Sequence, residues 1–488
     1  MSLPHLIEIV PLDKPVRAQI TVPGSKSITN RALILAALAE GETTLQGALW
    51  SEDTEVMVDC LRDLGFMVNL TPDPDEPCNR TITVYGKGGV VPTGGTATQP
   101  LELFVGNAGT VARFLAAFVC LGKGVYRLHG VPRMHERPQA ELFSALQQLG
   151  FDVQAENNNE KLPATISIGA RSGVEPRGGQ LEGAAAASCS VSIEQSSQFA
   201  SALLLCARAG NWHVRVEGEN SEESPYVVMT TELIKAFPKN GGIFQIEPDA
   251  SSGSYFWSAE MLVPPVFSEG MEYSPAWKMD VATTLFSKIS VANWPTSGWQ
   301  IDQSFPDMLS WLKDPAILGV MRDPAAPEEL KTQMRAIYPH PDEGISRNKD
   351  LGDSIMTAIV LAPFAGHPIR FTDLARLRLQ ECERVVALRT ELTKCGAKVI
   401  ETGDMLEVFP SQLHGAEIET YNDHRMAMCF AILGLKVPGI KIKNPACVKK
   451  TFPNFFQKLA AAPPRGLGAT IRDAATNQQL AMDELFAQ

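Results

Sequence analysis

The sequence predicts an α/β protein assembled from repeated strand–turn–helix pieces, and three observations carry that prediction. Short polar clusters run directly into mostly apolar stretches of helical length at six places. The pattern Leu-Gly-Phe-x-Val occurs at 64–68 and again at 149–153, each time as a glycine stop before a new strand. Gln19 to Val22 alternates Ile20 and Val22 with polar neighbours, a strand signature, just before the turn Pro23-Gly24.

Taken in order, residues 1–23 read as one or two strands. Ser25-Lys26-Ser27 then caps the run Ala32 to Ala39, so a helix N-terminus opens onto two hydroxyls, Lys26 and Arg31. Unpaired N–H groups and the helix dipole both favour an anion there, whereas a plain capped surface helix fits the same residues. It is not a Walker loop, since no glycine immediately precedes Lys26. Ser51 to Leu64 and Gln139 to Leu149 read as helices stopped by Gly65 and Gly150. Gly106-Asn107-Ala108-Gly109-Thr110 precedes the run Val111 to Leu121, and Gln195-Ser196-Ser197-Gln198 precedes Phe199 to Ala207. Asp249-Ala250-Ser251-Ser252-Gly253-Ser254, Gly352-Asp353-Ser354 and Asn422-Asp423-His424-Arg425 introduce the last three runs. Mostly apolar helices are buried ones, so all six belong inside layers of other elements.

At 488 residues the chain needs two or three domains. Its 44% hydrophobic and 20% charged content is that of a soluble globular protein. No apolar run reaches membrane-spanning length, and Met1 to Gln19 lacks a signal-peptide core, which points away from a membrane. Nine scattered cysteines without a Cys-x-x-Cys pair read as buried free thiols in a reducing compartment, the cytoplasm. A net charge of −12 with no basic stripe argues against nucleic acid. Anionic substrates then require a cleft where Lys26, Arg31, Arg133, Arg384, Arg425 and Lys450 reverse the field locally.

The motifs together resemble the 5-enolpyruvylshikimate-3-phosphate synthase family. Pro-Gly-Ser-Lys-Ser at 23–27 with Asn30-Arg31, Gly-Asn-Ala-Gly-Thr at 106–110, Pro-Arg-Met at 132–134 and Glu-Arg-Pro at 136–138 come first. Ser-Ser-Gln-Phe at 196–199, Asp-Ala-Ser-Ser at 249–252, Tyr-Asn-Asp-His-Arg-Met-Ala-Met at 421–428 and Lys-Thr-Phe-Pro at 450–453 follow in the family's order. The resemblance implies a two-lobed enolpyruvyl transferase fold, each lobe built from three repeated βαβαββ-type units. One lobe would hold 1–23 and 249–462, the other 24–248. Residues 264–350, rich in Pro and Trp, read as divergent or inserted, and 463–488 as a C-terminal extension that frays.

The resemblance also implies a reaction: the enolpyruvyl group of phosphoenolpyruvate moves to the 5-hydroxyl of shikimate 3-phosphate, and phosphate leaves. No metal or organic cofactor is implied, and no His or Cys cluster has ligand spacing. By resemblance Lys26, Ser27, Arg31, Ser196, Ser197, Gln198, Tyr226 and Asp353 hold shikimate 3-phosphate. Lys26, Asn107, Gly109, Arg133, Gln198, Arg384, Arg425 and Lys450 hold phosphoenolpyruvate, guanidinium forks suiting carboxylate and phosphate oxygens. Asp353 resembles the base for the 5-hydroxyl and Glu381 the residue that delivers a proton to C3, although sequence does not tell Glu381 from Glu383. Lys26 is catalytic as well, and His424 is either a supporting acid–base group or a structural histidine. Gly109 matches glyphosate-sensitive members of the family.

Four positions depart from the pattern. Arg376 and Gln380 stand where the family has Asn and Lys toward shikimate 3-phosphate, and are expected to share that ligand. Glu223 replaces a serine, and Phe114 a common proline. The competing readings are an enolpyruvyl transferase acting on UDP-N-acetylglucosamine, whose mobile-loop Cys segment is absent here, and a non-catalytic ligand-binding relative. The expected partners are small molecules only, and the expected state is a monomer.

Overall fold

The computed structural model describes residues 3–169, 186–218, 224–263, 288–313 and 343–487, together with 327, 329 and 332. The chain divides into two compact units, Pro23–Glu247 and the combination of Met1–Val22 with Pro248–Gln488.

Among the described residues, the strands of Pro23–Glu247 form three sheets. In one, Gly242–Gln245 runs parallel to Glu40–Leu49, followed by antiparallel Asn79–Lys87 and Val68–Pro72. In the next, Leu101–Phe104 runs parallel to Tyr126–His129, followed by antiparallel Ala164–Ile168 and Phe151–Ala155. The third is the parallel pair Ala187–Ser192 and Trp212–Glu217.

The other unit repeats this plan. Ile345–Ser346 runs parallel to Ile369–Thr372, with Met405–Val408 and Val399–Thr402 antiparallel beyond. Glu417–Ile418 runs parallel to Ile440–Lys443, with Leu6–Ile9 and Ile471–Asp473 antiparallel beyond. Arg17–Ile20 and Lys288–Val291 form the parallel pair.

Parallel strands cannot be joined by a hairpin and need a crossover. The six capped runs supply it. Gly109–Phe118, Ser197–Gly210, Ile355–Leu361 and His424–Gly434 each lie between the two strands of one parallel pair. Lys26–Leu38 precedes Glu40–Leu49, and Ala250–Leu262 precedes Lys288–Val291, so these two play the same part with their first strand elsewhere in the chain. Every residue of Gly109–Phe118, Ile355–Leu361 and His424–Gly434 is buried, as apolar crossover helices require. Their N-termini all follow strand ends, the end of an α/β unit where ligands collect.

The helices stopped by glycine run Glu52–Asp63 and Ala140–Gln148, with Gly65 and Gly150 at φ +89° and +93°. The strand before Lys26 is Arg17–Ile20, slightly earlier than the Gln19–Val22 read from the sequence, and it pairs with Lys288–Val291. Residues 288–313, expected to be divergent, are core: Ile289, Val291, Phe305, Met308, Leu309 and Leu312 are all buried. The rest of 264–342, apart from 327, 329 and 332, lies outside the described residues. The C-terminal extension does not fray. Ile471–Asp473 adds a strand beside Leu6–Ile9, Leu480 and Leu485 are buried, and the Ala487 amide donates to the Pro453 carbonyl.

Candidate active site

In the Pro23–Glu247 unit the first helix is set by a close backbone approach. A Cβ on Gly24 would meet the Gly47 carbonyl oxygen at 2.0 Å, so only glycine fits, and the Gly24 amide donates to Asn79 Oδ1 at 2.8 Å. Lys26 opens the helix, and its Nζ lies 3.3 Å from the buried Asp53 carboxylate. Ser27 lies beside it, half-buried, with its carbonyl accepting from Arg31 Nη1 at 2.9 Å.

Arg31 is buried completely enough to be a structural tie. Its Nε donates to Thr230 Oγ1 at 2.8 Å and its Nη2 to Ser201 Oγ at 3.0 Å and the Tyr226 carbonyl at 3.4 Å. The guanidinium lies over the Phe114 ring, 5.2 Å from its centroid. Burial lowers its pKa to about 10, the Tyr226 phenol opposing. The departure at Phe114 therefore furnishes a face for Arg31.

Gly109 and Gln198 meet through an arginine that sequence reasoning passed over. Arg113 Nη1 donates to Gln198 Oε1 at 3.1 Å and its Nη2 to the Pro138 carbonyl at 3.0 Å. Gln198 Nε2 donates to Thr110 Oγ1 at 3.1 Å, and Ser196 Oγ caps its helix by accepting from the Gln198 amide. Arg137 Nη1 donates to the Asn107 carbonyl at 3.2 Å. A Cβ on Gly109 would lie 2.3 Å from Arg113 Nη1 and 2.5 Å from Arg137 Nη2. Arg113 stands one helical turn after Gly109, and that i, i+4 spacing was the signal that could have found it. Ser197 is buried and Tyr226 half-buried. Arg133 stands apart: it is exposed and paired with Glu136 at 2.5 Å.

In the other unit the predicted residues form two linked clusters. Asp353 Oδ1 accepts from Arg347 Nη2 at 2.9 Å, and Oδ2 lies 3.2 Å from Arg425 Nη2. Burial alone would raise this carboxyl, but Arg425, Arg347 and Arg384 outweigh it and hold it well below the usual carboxylate range. Behind it, Asp302 Oδ1 accepts from the Ser354 amide at 2.7 Å and Oδ2 from Ser251 Oγ at 2.7 Å, tying the starts of two crossover helices together. Burial, then the charge of Asp353, pushes Asp302 up.

The second cluster centres on Arg384. Its Nε donates to Asp423 Oδ2 at 2.7 Å, its Nη2 to Glu381 Oε2 at 2.8 Å and Asp423 Oδ1 at 3.2 Å, and its Nη1 to Gln380 Oε1. Lys450 Nζ donates to the other oxygen of Glu381 at 3.0 Å. Glu381 thus sits between two cations. Glu383 instead caps the Arg384–Lys394 helix through the Val386 amide and pairs with Arg378. The structure therefore separates the two glutamates that sequence could not. His424 is buried with its Nδ1 3.7 Å from Asp423 Oδ1.

Gln380 Oε1 accepts from Arg384, and Arg376 is half-buried on the neighbouring Ala375–Leu379 turn. Glu223 lies outside the described residues. Asp423 sat in a quoted motif without an assigned part, and Arg347 in a segment with no motif at all. Among the described residues, no group of His, Cys, Asp and Glu is placed to hold a metal ion, and no helix is long and apolar enough to cross a membrane.

Residues 11–459 match the family model of EPSP synthase (3-phosphoshikimate 1-carboxyvinyltransferase). A protein of that enzyme name from Trichormus variabilis is 36% identical, covering 93% of this chain and 98% of its own length. One from a Nostoc species is also 36% identical over the same shares. The solved EPSP synthase of Acinetobacter baumannii superposes with a TM-score of 0.62 over 96% of this chain and 100% of its own, at 19% identity, a likeness of fold. The chain belongs to the EPSP synthase family.

Proposed function

We propose that this chain carries out its family's reaction, transfer of the enolpyruvyl group of phosphoenolpyruvate to the 5-hydroxyl of shikimate 3-phosphate, with the following division of labour. Asp353 takes the proton of the 5-hydroxyl. Glu381 delivers a proton to C3 of the enol and takes one back when phosphate leaves the tetrahedral adduct. Arg384, Arg425 and Lys450 receive the anionic groups of phosphoenolpyruvate, and Lys26, Ser27, Ser196, Ser197, Gln198 and Tyr226 those of shikimate 3-phosphate. Arg113 joins them as the group that orients Gln198, whereas Arg31 holds three helices together. Arg133 requires a change of partner from Glu136 before it can act.

The supporting observation is Glu381 between Arg384 and Lys450, at 2.8 and 3.0 Å. An anionic ligand that occupies both cations frees the carboxylate to carry a proton at the moment the enol is in place. The assigned residues all come from one chain, and the reading takes the monomer as the working unit. Nine free thiols, eight of them buried, suit a reducing compartment such as the cytoplasm.

The test is phosphate release from phosphoenolpyruvate, with shikimate 3-phosphate or UDP-N-acetylglucosamine as acceptor and with or without a chelator. Release with shikimate 3-phosphate alone, indifferent to the chelator, supports the reading. Equal release with UDP-N-acetylglucosamine, or none with either acceptor, overturns it.

A further inference from the structure

Asp353 has two arginines, one on each carboxylate oxygen, and they are not equivalent. Arg425 lies at the start of a helix and carries a side chain 11% exposed, 3.2 Å from Oδ2. Arg347 has a side chain 4% exposed, 2.9 Å from Oδ1, and its Nε has no hydrogen-bond partner.

The backbone that presents Arg347 is fixed by its own hydrogen bonds. Its amide donates to the Thr372 carbonyl at 3.1 Å, continuing the parallel register of Ser346 with Thr372. Asp350 Oδ2 accepts from the Ser346 amide at 2.7 Å, and Ser346 Oγ accepts from the amides of Asn348 and Lys349 at 3.2 and 3.1 Å. The amides of Asp350 and Leu351 close back onto the Ser346 carbonyl. A turn pinned at so many points gives the Arg347 guanidinium little choice of partner.

Resting on the reading of Arg425 as a ligand cation and Asp353 as the base, we infer that Arg347 is a positioning residue that keeps Asp353 charged and aimed once the anionic substrate has taken Arg425. Without it, the carboxylate would face an incoming anion after losing its nearest remaining cation. The other charged groups around Asp353 cannot replace it. Arg384 is held by Asp423 and is itself assigned to the incoming anion, and Asp302, packed behind, is itself acidic. An opposite charge this close shifts a carboxyl by about 1–3 units, so its loss moves the protonation of Asp353 up by that amount.

The experiment measures kcat and KM for both substrates against pH in the native protein and in Arg347→Met, Arg347→Gln, Arg347→Lys and Asp353→Asn. The expected result is an acid limb of kcat displaced upward by about 1–3 units in the Met and Gln variants. Both KM values stay within about threefold, activity recovers at alkaline pH, and Arg347→Lys restores much of the native profile. Should Arg347→Met not fold, Arg347→Gln, which keeps a donor but not the charge, gives the same readout. A kcat lowered equally at every pH would mean packing only, and a KM raised tenfold with kcat intact would make Arg347 a ligand contact; either overturns the inference. Asp353→Asn keeps the two readings apart. If it retains full kcat the base assignment is wrong, whereas if it is inactive and the acid limb of the Arg347 variants has not moved, the Arg347 inference alone is wrong.

Discussion

The two units hold their buried arginines with different kinds of partner. In Pro23–Glu247, Arg31, Arg113 and Arg137 are held by hydroxyls, carbonyl oxygens and an amide, whereas Lys26 and Arg133 face the carboxylates of Asp53 and Glu136. In the other unit, Arg347, Arg384, Arg425 and Lys450 are held by Asp353, Glu381 and Asp423. Neutral partners leave the positive field standing, a preorganised receptor. Carboxylate partners cancel it, and a ligand must displace one anion to bind. In the proposed reading the cost has a use, because the displaced carboxylate becomes the acid or base of the reaction.

The largest effect should follow from neutralising the acid in the carboxylate-rich unit. Glu381→Gln is expected to lower kcat by about 10²–10⁴-fold, the usual worth of a positioned proton donor, in the phosphate-release assay. Because Arg384 and Lys450 then lose a competing anion, KM for phosphoenolpyruvate should fall or hold. A raised KM with unchanged kcat would break the comparison.

Stability offers the next contrast. Arg384→Met strips the cation from buried Asp423 and leaves Glu381 to Lys450 alone, and removing one side of a buried pair costs about 3–5 kcal/mol. Arg31→Met loses hydrogen bonds to neutral groups and should cost less, about 1–3 kcal/mol. Denaturant unfolding of the two variants, compared by midpoint and slope, checks the order; a larger loss at Arg31 would reverse the argument.

The acid side of the stability curve sharpens it further. Asp353 has a depressed pKa when folded, so its contribution is present above the unfolded value of about 3.9 and is lost as pH falls through the lower folded value. Native protein and Asp353→Asn should therefore differ in stability at pH 6, with the gap narrowing steadily below about pH 4. A gap independent of pH would mean that the carboxylate charge is not what stabilises. The smallest effect is expected at Gln380. Its bond is to Arg384, so Gln380→Ala should raise KM for phosphoenolpyruvate by roughly fivefold, about 1 kcal/mol, and leave KM for shikimate 3-phosphate alone.

Much of this was legible in the sequence because helix caps are local. Ser25, Ser196, Asp249 and Asp423 each sit one position before their helix, and four crossover helices begin inside the polar cluster read as preceding them, at Gly109, Ser197, Ala250 and His424. Pairing across long separations was not legible. Nothing in Arg17–Ile20 announces that its partner lies at Lys288–Val291, and nothing near Arg347 marks it as the partner of Asp353. The parts played by Glu381 and Glu383 also depended on which side chain reached Lys450, a tertiary fact. The buried thiols were read from their apolar surroundings, and burial does push Cys60, Cys395, Cys429 and Cys447 up to about 12.

The position of Leu6–Ile9 in the middle of its sheet, between Ile440–Lys443 and Ile471–Asp473, sets a timetable for biosynthesis. At about 5–20 residues per second, the strand leaves the ribosome roughly 20–90 s before its first partner exists. During that interval residues 23–247 have everything needed to complete their own three sheets, while the N-terminal strands wait with both edges open. A waiting apolar strand is a template for the wrong partner, so this chain should depend on holding factors at its N-terminus until synthesis is nearly finished. A circular permutant that begins near residue 248 and joins the native ends would shorten the wait to a few seconds, and it should refold with less aggregation than the native order.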